Sequence, residues 1–417
     1  MLSSVAFKWL ILGRTKAGDY PLWGSYYFRW WLVRRVLETV ASQYLAGTPA
    51  YVLYYRLLGA KIGRDTLLNN DFIDVADLVT IGDGAALDAR CILASSAVEG
   101  GLLRLGYVTI GARTTIGAMA IIGRNAVVGD DSVIDQLSAV PADTIVGPGE
   151  RWSGSPALCI ARHYGTPFTP PKGLRRHAVA FVLLVAAALL PITVLIPIAP
   201  GLVAMVEADW TTEGYGFVAF SPLLAFAYVL LMCVLMAIVK WGLLGRVRPG
   251  TYSIWSGFYV RFWIVRQLGM LALELLHPIY ATLFVRPWFR LMGASVGTRA
   301  EISTAAAVVH DLVNIGAESF IADGVVLGAA RSVPGAIVLA PTVIGQRTFI
   351  GNSAVVPGGT AIGDNALIGV LSRPPDDAAL AATAGSTWFG SPPLRLPSRQ
   401  VVTLFDERTP VDDPMDV

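Results

Sequence analysis

Charged residues are scarce in this 417-residue chain: they make up 15% of it, against about 25% in a typical soluble protein. The 32 basic and 30 acidic residues leave a formal charge of only +2, which excludes a protein that binds nucleic acid through its phosphates. The three cysteines show no CxxC or other metal-binding spacing, so we predict neither a disulfide framework nor a zinc site. The N-terminus lacks a small-residue cleavage site behind an apolar run, so we predict no signal peptide.

Hydrophobic residues, in contrast, make up 54% of the chain, and its mean hydropathy is +0.58. Residues 178–199 and 217–239 are uncharged, and at about 1.5 Å per residue each covers the ~30 Å hydrocarbon core of a bilayer. The sequence therefore predicts two transmembrane helices, the alternative being buried helices of a large soluble core. Basic residues flank the pair on both outer sides (Arg162, Lys172, Arg175, Arg176, Lys240, Arg246 and Arg248), whereas the connection Glu207–Gly216 has none. The positive-inside rule places both large flanking regions in the cytoplasm.

The two flanking regions are copies of one unit. Lys8-Trp9 returns as Lys240-Trp241, and the match continues, at an offset that grows from 232 to 236, as far as the Trp-x-Gly-Ser-Pro strings that begin at Trp152 and Trp388. The chain is therefore a tandem duplication, with the predicted spans as its connector.

Each copy opens with aromatic residues interleaved with arginines. In the first copy they lie between Trp23 and Arg35, and in the second between Trp255 and Arg266. Because Trp and Tyr favour the headgroup level and Arg reaches anionic lipid, we predict helices in the cytoplasmic membrane interface. The alternative is an aromatic-rich helix packed on its own domain.

Aliphatic-glycine pairs then recur with a period of six. They run from Ile110-Gly111 to Val128-Gly129 in the first copy and from Ile344-Gly345 to Ile368-Gly369 in the second. A period of six does not fit an α-helix, and it indicates short strands joined by tight turns. We predict parallel β-helices with three hexapeptides per coil, in which the aliphatic residues point inward and glycine permits the turn. The pattern resembles the left-handed β-helix of the hexapeptide acyltransferases.

His310 is the candidate catalytic residue. It lies where the register slips, because Val308 to Ile315 is seven residues instead of six, and an inserted residue commonly re-aims a side chain. Acyl transfer needs a base near neutrality, which histidine supplies, and either Asp311 or Asp323 could orient its ring. The alternative is that His310 only closes a corner of the coil.

The register of the first copy slips at the equivalent place. There Ala76 aligns with His310, and Asp77 aligns with Asp311. We therefore predict that the second copy is the active unit and the first is structural or holds substrate. Asp323, Asn352 and Ser303 are predicted to bind substrate. No metal is predicted, since a carbonic anhydrase on this fold would need three zinc-binding histidines.

Longer strings resemble the membrane-bound C-terminal region of nonribosomal peptide synthetase-like proteins of the poly-ε-lysine synthetase type. The strings are KWLILGR from Lys8, YPLWG from Tyr20, LVTIGDG from Leu78, HDLVNIG from His310 and GNSAVVP from Gly351. The resemblance implies tandem acyltransferase-like domains that join amino acids delivered as carrier-bound thioesters. The chain departs from the family in having no adenylation signature or carrier serine motif, and only two β-helix copies with one span pair.

The predicted fold is a mixed membrane protein with two left-handed parallel β-helix domains, each preceded by interfacial helices and joined by a two-helix transmembrane hairpin. Its predicted segments are the interfacial helices of copy 1 (8–58), β-helix domain 1 (59–165), the transmembrane helices (178–239), the interfacial helices of copy 2 (240–292), β-helix domain 2 (293–398) and an acidic disordered tail (399–417).

The predicted function is a membrane acyltransferase-like component of a nonribosomal peptide synthetase-like system. It would form amide bonds from the phosphopantetheine thioester of a carrier protein, and no cofactor is expected to be bound by this chain itself. One alternative is an O- or N-acetyltransferase that uses acetyl-CoA, and another is a non-catalytic scaffold for synthetase partners. The expected partners are adenylation and carrier proteins and membrane lipids, without nucleic acid, and homo-oligomerisation is left open. The expected location is the cytoplasmic membrane, with both β-helices in the cytoplasm.

Overall fold

A computed structural model describes residues 1–70, 72–162, 174–211, 219–276 and 279–397. Several features predicted from the sequence lie outside these residues: the acidic tail, His163, His277 and the 212–216 part of the connection. Nine helices are found in the described part of the chain: α1 (Leu2–Ile11), α2 (Ser25–Thr39), α3 (Pro49–Leu57), α4 (Leu174–Leu195), α5 (Ala199–Thr211), α6 (Ser221–Val239), α7 (Gly257–Leu275), α8 (Val285–Leu291) and α9 (Ala378–Ala381).

The first copy winds its strands into a triangular stack with three faces. Parallel pairing joins each strand to the one a coil away, for example Ile116 to Ile134. The first face has Lys61–Ile62, Val79–Ile81, Val108–Ile110, Val127–Val128 and Ile145–Val146; the second has Leu67–Leu68, Ala86–Leu87, Thr115–Ile116, Val133–Ile134, Arg151–Gly154 and Ala157–Ala161; the third has Ile92–Leu93, Ile121–Ile122 and Ala139–Val140.

The second copy repeats this arrangement. Its first face has Ser295–Val296, Val313–Ile315, Thr342–Ile344 and Ala361–Ile362; its second has Glu301–Ile302, Phe320–Ile321, Phe349–Ile350, Leu367–Ile368, Thr387–Phe389 and Leu394–Leu396; its third has Val326–Ala329 and Val355–Pro357. The predicted period-six register is therefore confirmed as stacked strands in both copies. The division into six segments stays a prediction.

The aliphatic residues of the register form the core, as predicted. Ile110, Ile116, Ile122 and Val128 are each at most 1% exposed, and burying a side chain of this size contributes roughly 1.5–3 kcal/mol.

The glycines of the register are not there to permit the turn, as the sequence predicted. Gly111 does not have a positive φ; that conformation belongs to Arg113, Met119 and their equivalents at each later turn. A Cβ on Gly111 would lie 2.5 Å from the backbone nitrogen of Asp130 in the next coil. Glycine is needed because successive coils approach too closely for a side chain, and not because the turn needs backbone freedom.

One hairpin interrupts each stack and pairs with a strand near the start of its copy. In copy 1, Ser96–Glu99 and Leu102–Leu105 form the hairpin, and Leu102–Leu105 also pairs with Gly18–Pro21. In copy 2, Arg331–Val333 and Ala336–Leu339 form the hairpin, and Ala336–Leu339 also pairs with Gly250–Ser253. The two hairpins bind the helical start of each copy to its β-helix.

Two helical stretches are long and apolar enough to cross a membrane by length and composition: Arg175–Glu207 and Ser221–Leu244. The first contains all of α4 except Leu174, a 3₁₀ turn (Ile196–Ile198) and part of α5, and the second contains α6. Arg176 at the start of α4 forms an ion pair of 3.4 Å with Asp65. This contact ties the first stretch to the β-helix of copy 1.

The aromatic helices of the two copies differ in burial. In α7, Tyr259, Phe262 and Trp263 are buried inside the protein, and Tyr259 and Trp263 bond to copy 1 rather than to their own copy. The interfacial location of the helix stays a prediction. In α2, Phe28 and Trp31 are exposed. The duplication therefore conserved the helix but not its surroundings.

Candidate functional site

The register slip is a short 3₁₀ turn in both copies, formed by Ala76–Leu78 in the first and His310–Leu312 in the second. Each turn lies at the corner between the third face of one coil and the first face of the next. His310 therefore occupies the corner that its sequence position predicts.

Asp311 forms a buried ion pair with Lys240. Its Oδ1 lies 2.8 Å from the Nζ of Lys240, and its Oδ2 accepts a hydrogen bond from the backbone N–H of Val247 at 3.1 Å. Each of these side chains is only 3% exposed. Both carboxylate oxygens are thus engaged by the segment that leads into the copy, and the structure places Asp311 in this contact rather than in one with the ring of His310.

Copy 1 contains the same arrangement. Asp77 lies 2.7 Å from Lys8 and accepts a hydrogen bond from the backbone N–H of Thr15 at 3.0 Å. Burial lowers the pKa of Lys8 below its ordinary value, and the Asp77 carboxylate opposes that shift. Because both copies keep the pair while only one has the histidine, the pair has a structural role: it anchors the start of each copy to its first coils.

The lysines were missed by the sequence reasoning, although the signal was present. Lys8 and Lys240 match across the duplication, as do Asp77 and Asp311. Because a buried carboxylate is costly unless it is paired with a cation, a carboxylate found in both copies predicts a cation found in both copies. Each lysine also lies over the indole of the tryptophan that follows it, 3.5 Å from the ring centroid in copy 1 and 3.0 Å in copy 2.

The carboxylate of Asp311 fits against the backbone of Gly293 because glycine has no side chain. Gly293 has φ +110°, and a Cβ there would overlap the carboxylate of Asp311 and lie 3.0 Å from the Nζ of Lys240. Gly293→Ala is therefore expected to destabilise the protein by about 2–4 kcal/mol, because it combines backbone strain with displacement of a buried ion pair. Thermal unfolding in detergent measures the effect. Gly257→Ala is the matched control, because a Cβ added at Gly257 would have no atom within 4 Å. This variant is expected to leave the Tm within about 2 °C of the wild type. Equal Tm shifts for the two variants would contradict the account.

The ring of His310 packs edge-on against Phe289, with 4.9 Å between the ring centroids. Burial, together with the ammonium group of Lys240, lowers the pKa of His310 to about 4. The imidazole is consequently neutral at pH 7, which leaves a nitrogen lone pair free to accept a proton, although a base of this pKa accepts it weakly.

The equivalent corner of copy 1 shows what the fold looks like without the imidazole. A cavity of about 30 Å³ there is lined by Ala76 together with Lys8, Trp30 and Leu58. An alanine at this corner is thus compatible with the coil, and the imidazole of copy 2 is not needed to close it.

Two larger clefts lie where the copies meet, and His310 lines neither of them. One, of about 1140 Å³, is mostly apolar and lies between the third face of copy 1 and the last coil of copy 2. Its polar lining includes Arg34, Asp74, Arg90 and Ser96. The other, of about 230 Å³, lies between the second face of copy 1 and the third face of copy 2.

The structure brings the three predicted substrate-binding residues together. Ser303 donates a hydrogen bond to the carboxylate of Asp323, and the backbone N–H of Asp323 donates to Oδ1 of Asn352 at 3.3 Å. They lie at the corner between the second and third faces of copy 2, whereas His310 lies beyond the third face. The roles of these residues and of His310 stay predictions. In the described part of the chain, no three His, Cys, Asp or Glu side chains gather in a way that could hold a metal ion.

Comparison with known proteins supports the resemblance drawn from the sequence. The hexapeptide repeat of succinyl-transferase matches residues 107–135 and 341–369. The chain is 34% identical over 421 residues to the delta-poly-L-ornithine synthetase of Acinetobacter baumannii (strain AB307-0294). That alignment covers 97% of this chain but 31% of the synthetase, so the chain spans about a third of its relative's length.

Among solved structures, similarity extends to hexapeptide-repeat acetyltransferases. A maltose O-acetyltransferase from Clostridium difficile 630 is 18% identical, with 37% of this chain and 96% of that chain covered and a TM-score of 0.28. A hexapeptide-repeat acetyltransferase from Vibrio cholerae is 13% identical, with 32% and 92% covered and a TM-score of 0.27.

The hexapeptide repeat of the family model and the stacked strands of the structure confirm the predicted β-helix of the hexapeptide-repeat acyltransferase type, and the chain is acyltransferase-like. The repeat alone does not identify a substrate. Taken with the match over nearly its whole length, it identifies the chain as a relative of the nonribosomal peptide synthetase-like poly-amino-acid synthetases, built around hexapeptide-repeat acyltransferase-like domains.

Proposed function

We propose that this chain is an integral membrane acyltransferase that forms amide bonds between amino acids delivered as carrier-bound thioesters. The observation that carries the proposal is the 34% identity to a poly-ornithine synthetase across 97% of the chain. A polymer of ornithine requires repeated amide formation, and the hexapeptide repeat is that of an acyl-transferring family. The adenylation and carrier proteins that supply the thioester are the proposed partners.

The proposed location is the cytoplasmic membrane, with α4 and α6 crossing it and both β-helices on the cytoplasmic side. The length and apolar character of the two helical stretches support the crossing. The arginines and lysines at their outer flanks support the orientation. The ion pair between Arg176 and Asp65 would then lie at the inner membrane surface, where the first span meets copy 1.

In the proposed reaction the amine of one amino acid attacks the thioester carbonyl of another. The new C–N bond forms, the C–S bond breaks, the amine loses a proton and the carrier thiolate takes one up. His310 is the proposed acceptor of the amine proton, because its imidazole is neutral and is absent from copy 1. Phe289 packs edge-on against the ring and is itself buried, so the proposal requires the substrate to reach the imidazole from another side.

Asp323 is the proposed contact for the ammonium or side-chain amine of the bound amino acid, since a carboxylate binds such a cation directly. Ser303 and Asn352 hold that carboxylate and its backbone in place. These residues lie at a different corner from His310, so one substrate would have to extend along the third face of copy 2 to reach both.

A donor comparison tests the proposal. The chain is purified in nanodiscs and given either an ornithyl or lysyl thioester on a carrier protein, or acetyl-CoA, with the free amino acid as acceptor. Mass spectrometry is expected to show a dipeptide from the carrier thioester above the level formed by carrier alone.

Two other outcomes would replace the proposal. Acetylated acceptor without any dipeptide would make the chain an acetyltransferase. Retention of the carrier protein on the nanodisc, with its thioester unchanged, would make it a scaffold.

A further inference from the structure

The cleft of about 230 Å³ between the two copies is lined by two buried side chains that each have an oxygen without a hydrogen-bond partner. Thr115 is 7% exposed and Asp135 is 6% exposed, and both line the cleft. In the described part of the chain, Oγ1 of Thr115 and Oδ2 of Asp135 make no hydrogen bond. Because a buried polar atom without a partner is costly, these two oxygens indicate a ligand that brings hydrogen-bond donors.

The other contacts of Asp135 join the two copies and leave Oδ2 available. Oδ1 accepts a hydrogen bond of 2.9 Å from Nε of Arg151. Oδ2 lies 3.7 Å from Nη2 of Arg373 in copy 2, which is beyond hydrogen-bonding distance. Asp376 of copy 2 pairs with both arginines, at 3.1 Å from Arg151 and 2.9 Å from Arg373. These two acidic and two basic groups balance each other, and the lone pairs of Oδ2 can still accept from an ammonium group.

A guanidinium group without a partner lies at the other end of the cleft. Arg331 lines the cleft and is exposed, and its side chain forms no ion pair or hydrogen bond with the residues that the structure describes. The next residue, Ser332, donates to Asp88, and Asp88 lies two coils before Asp135 on the second face of copy 1. Since strands of neighbouring coils are about 4.8 Å apart, the two ends of the cleft are roughly 10 Å apart.

The remaining wall of the cleft suits an aliphatic chain. Val133, Val333 and Pro357 supply apolar surface. Asp88, at the end where Arg331 lies, accepts the hydroxyl of Ser332 at 2.9 Å. Burial raises the pKa of Asp88 above its ordinary value, so this carboxyl repels an anion beside Arg331 less than a free carboxylate would. The cleft therefore offers a cation at one end and a carboxylate with a hydroxyl at the other.

The second copy lacks this set of side chains, so the β-helix does not require them. The set consists of Thr115, Asp135 and, from the hairpin of copy 2, Arg331. The equivalent positions in the other copy have an apolar side chain or none: Phe349, Gly369 and Ala97. A polar group that is present in one copy only is not needed to form a coil, which favours a role in binding.

We propose that this cleft binds a free basic amino acid, with its carboxylate on Arg331 and its side-chain ammonium group on Asp135 and Thr115. Both ends make charge-assisted hydrogen bonds, and the methylene groups lie along the apolar wall. The ligand is held by both copies at once, because Arg331 belongs to copy 2 and the other two residues to copy 1. The choice of an amino acid rests on the proposed function, but the site is a separate one, since neither His310 nor Asp323 lines the cleft.

Equilibrium binding in nanodiscs tests the proposal without any acyl transfer. The chain has Asp323→Asn, so that the proposed substrate contact adds nothing to the signal, and it is titrated with L-ornithine, L-lysine, putrescine or L-norvaline. Putrescine lacks the carboxylate and norvaline lacks the side-chain ammonium group, so each is expected to bind at least about ten-fold more weakly than ornithine. Because amide formation is not measured, a failure here and a failure of the proposed function are distinguishable.

Arg331→Gln is expected to weaken ornithine binding about 10- to 100-fold and to leave putrescine binding unchanged. Thr115→Val, which removes only the hydroxyl from the cleft, is expected to weaken the binding of both several-fold. The matched controls are Arg299→Gln and Thr80→Val, whose side chains do not line the cleft, and they should bind as the parent chain does.

Three results overturn the proposal. The first is that neither ornithine nor lysine binds to the parent chain. The second is that norvaline binds as tightly as ornithine. The third is that ornithine binds equally well to the parent chain, to Arg331→Gln and to Thr115→Val.

Discussion

His310→Ala is expected to slow amide formation by about 100-fold. General bases typically contribute 10²–10⁴ to a rate, and a pKa of about 4 places this imidazole near the lower end of that range, because it accepts a proton weakly at neutral pH. The measurement is single-turnover formation of dipeptide from a carrier-bound thioester. The effect should lie in the chemical step and leave the affinity for the carrier protein unchanged.

The fold itself supplies the reason to expect that His310→Ala remains folded. Copy 1 has Ala76 at the same corner, beside a cavity of about 30 Å³. The control is His310→Gln, which refills much of the space without supplying a base near neutrality, and it should be as slow as the alanine variant. Wild-type turnover in either variant would remove His310 from the mechanism and leave it as a packing residue against Phe289.

Lys240→Met is expected to cost about 3–5 kcal/mol of stability. Removing one partner of a buried ion pair leaves the other charge without compensation, and both Lys240 and Asp311 are only 3% exposed. At roughly 2–4 °C per kcal/mol for a large domain, the Tm should fall by roughly 6–20 °C. Lys8→Met, which breaks the equivalent pair of copy 1, should act in the same way on its own copy.

A surface pair provides the comparison. Glu318→Gln breaks the contact of Glu318 with Arg299, in which the two side chains are 38% and 81% exposed, and such a pair is worth about 0–1 kcal/mol. The double variant Lys240→Met with Asp311→Leu should recover part of the loss, because no buried charge remains. Equal Tm values for Lys240→Met and Glu318→Gln would show that the buried pair does not anchor the copy.

The coils were predictable because their information is local and repeated. Each rung needs an aliphatic residue inside and a residue without a side chain where the next coil passes, so the period of six appears directly in the sequence at Ile110, Ile116, Ile122 and Val128. The slip at residues 308–315 was visible for the same reason: a regular pattern makes one extra residue stand out.

The contacts that connect distant segments were not predictable in this way. The pairing of Gly18–Pro21 with Leu102–Leu105 joins strands that carry no shared period. The packing of Tyr259 on Gly47 depends on which faces of the two copies meet, and the same aromatic pattern in copy 1 leaves Trp31 exposed. Sequence similarity between the copies therefore predicts the helix but not its environment.

The sequence predicted where the candidate site lies, but not which side chains contact each other there. Adjacency in the sequence suggested that Asp311 could orient His310, but a 3₁₀ turn directs neighbouring side chains apart, and the carboxylate instead neutralises Lys240, 71 residues away. Comparing the copies would have indicated this, since Asp77 is kept in copy 1 without any histidine beside it.

The pH dependence of catalysis tests the central claim, that the neutral, half-buried imidazole of copy 2 is the base. The rate of the wild type is divided at each pH by that of His310→Ala, so that titration of the attacking amine cancels. A base must be unprotonated, and with a pKa of about 4 in the folded protein the ratio should stay high from pH 7 to about pH 5 and fall only as the pH approaches 4. A ratio of one throughout, or a fall centred near the ordinary histidine pKa of about 6.5, would contradict it.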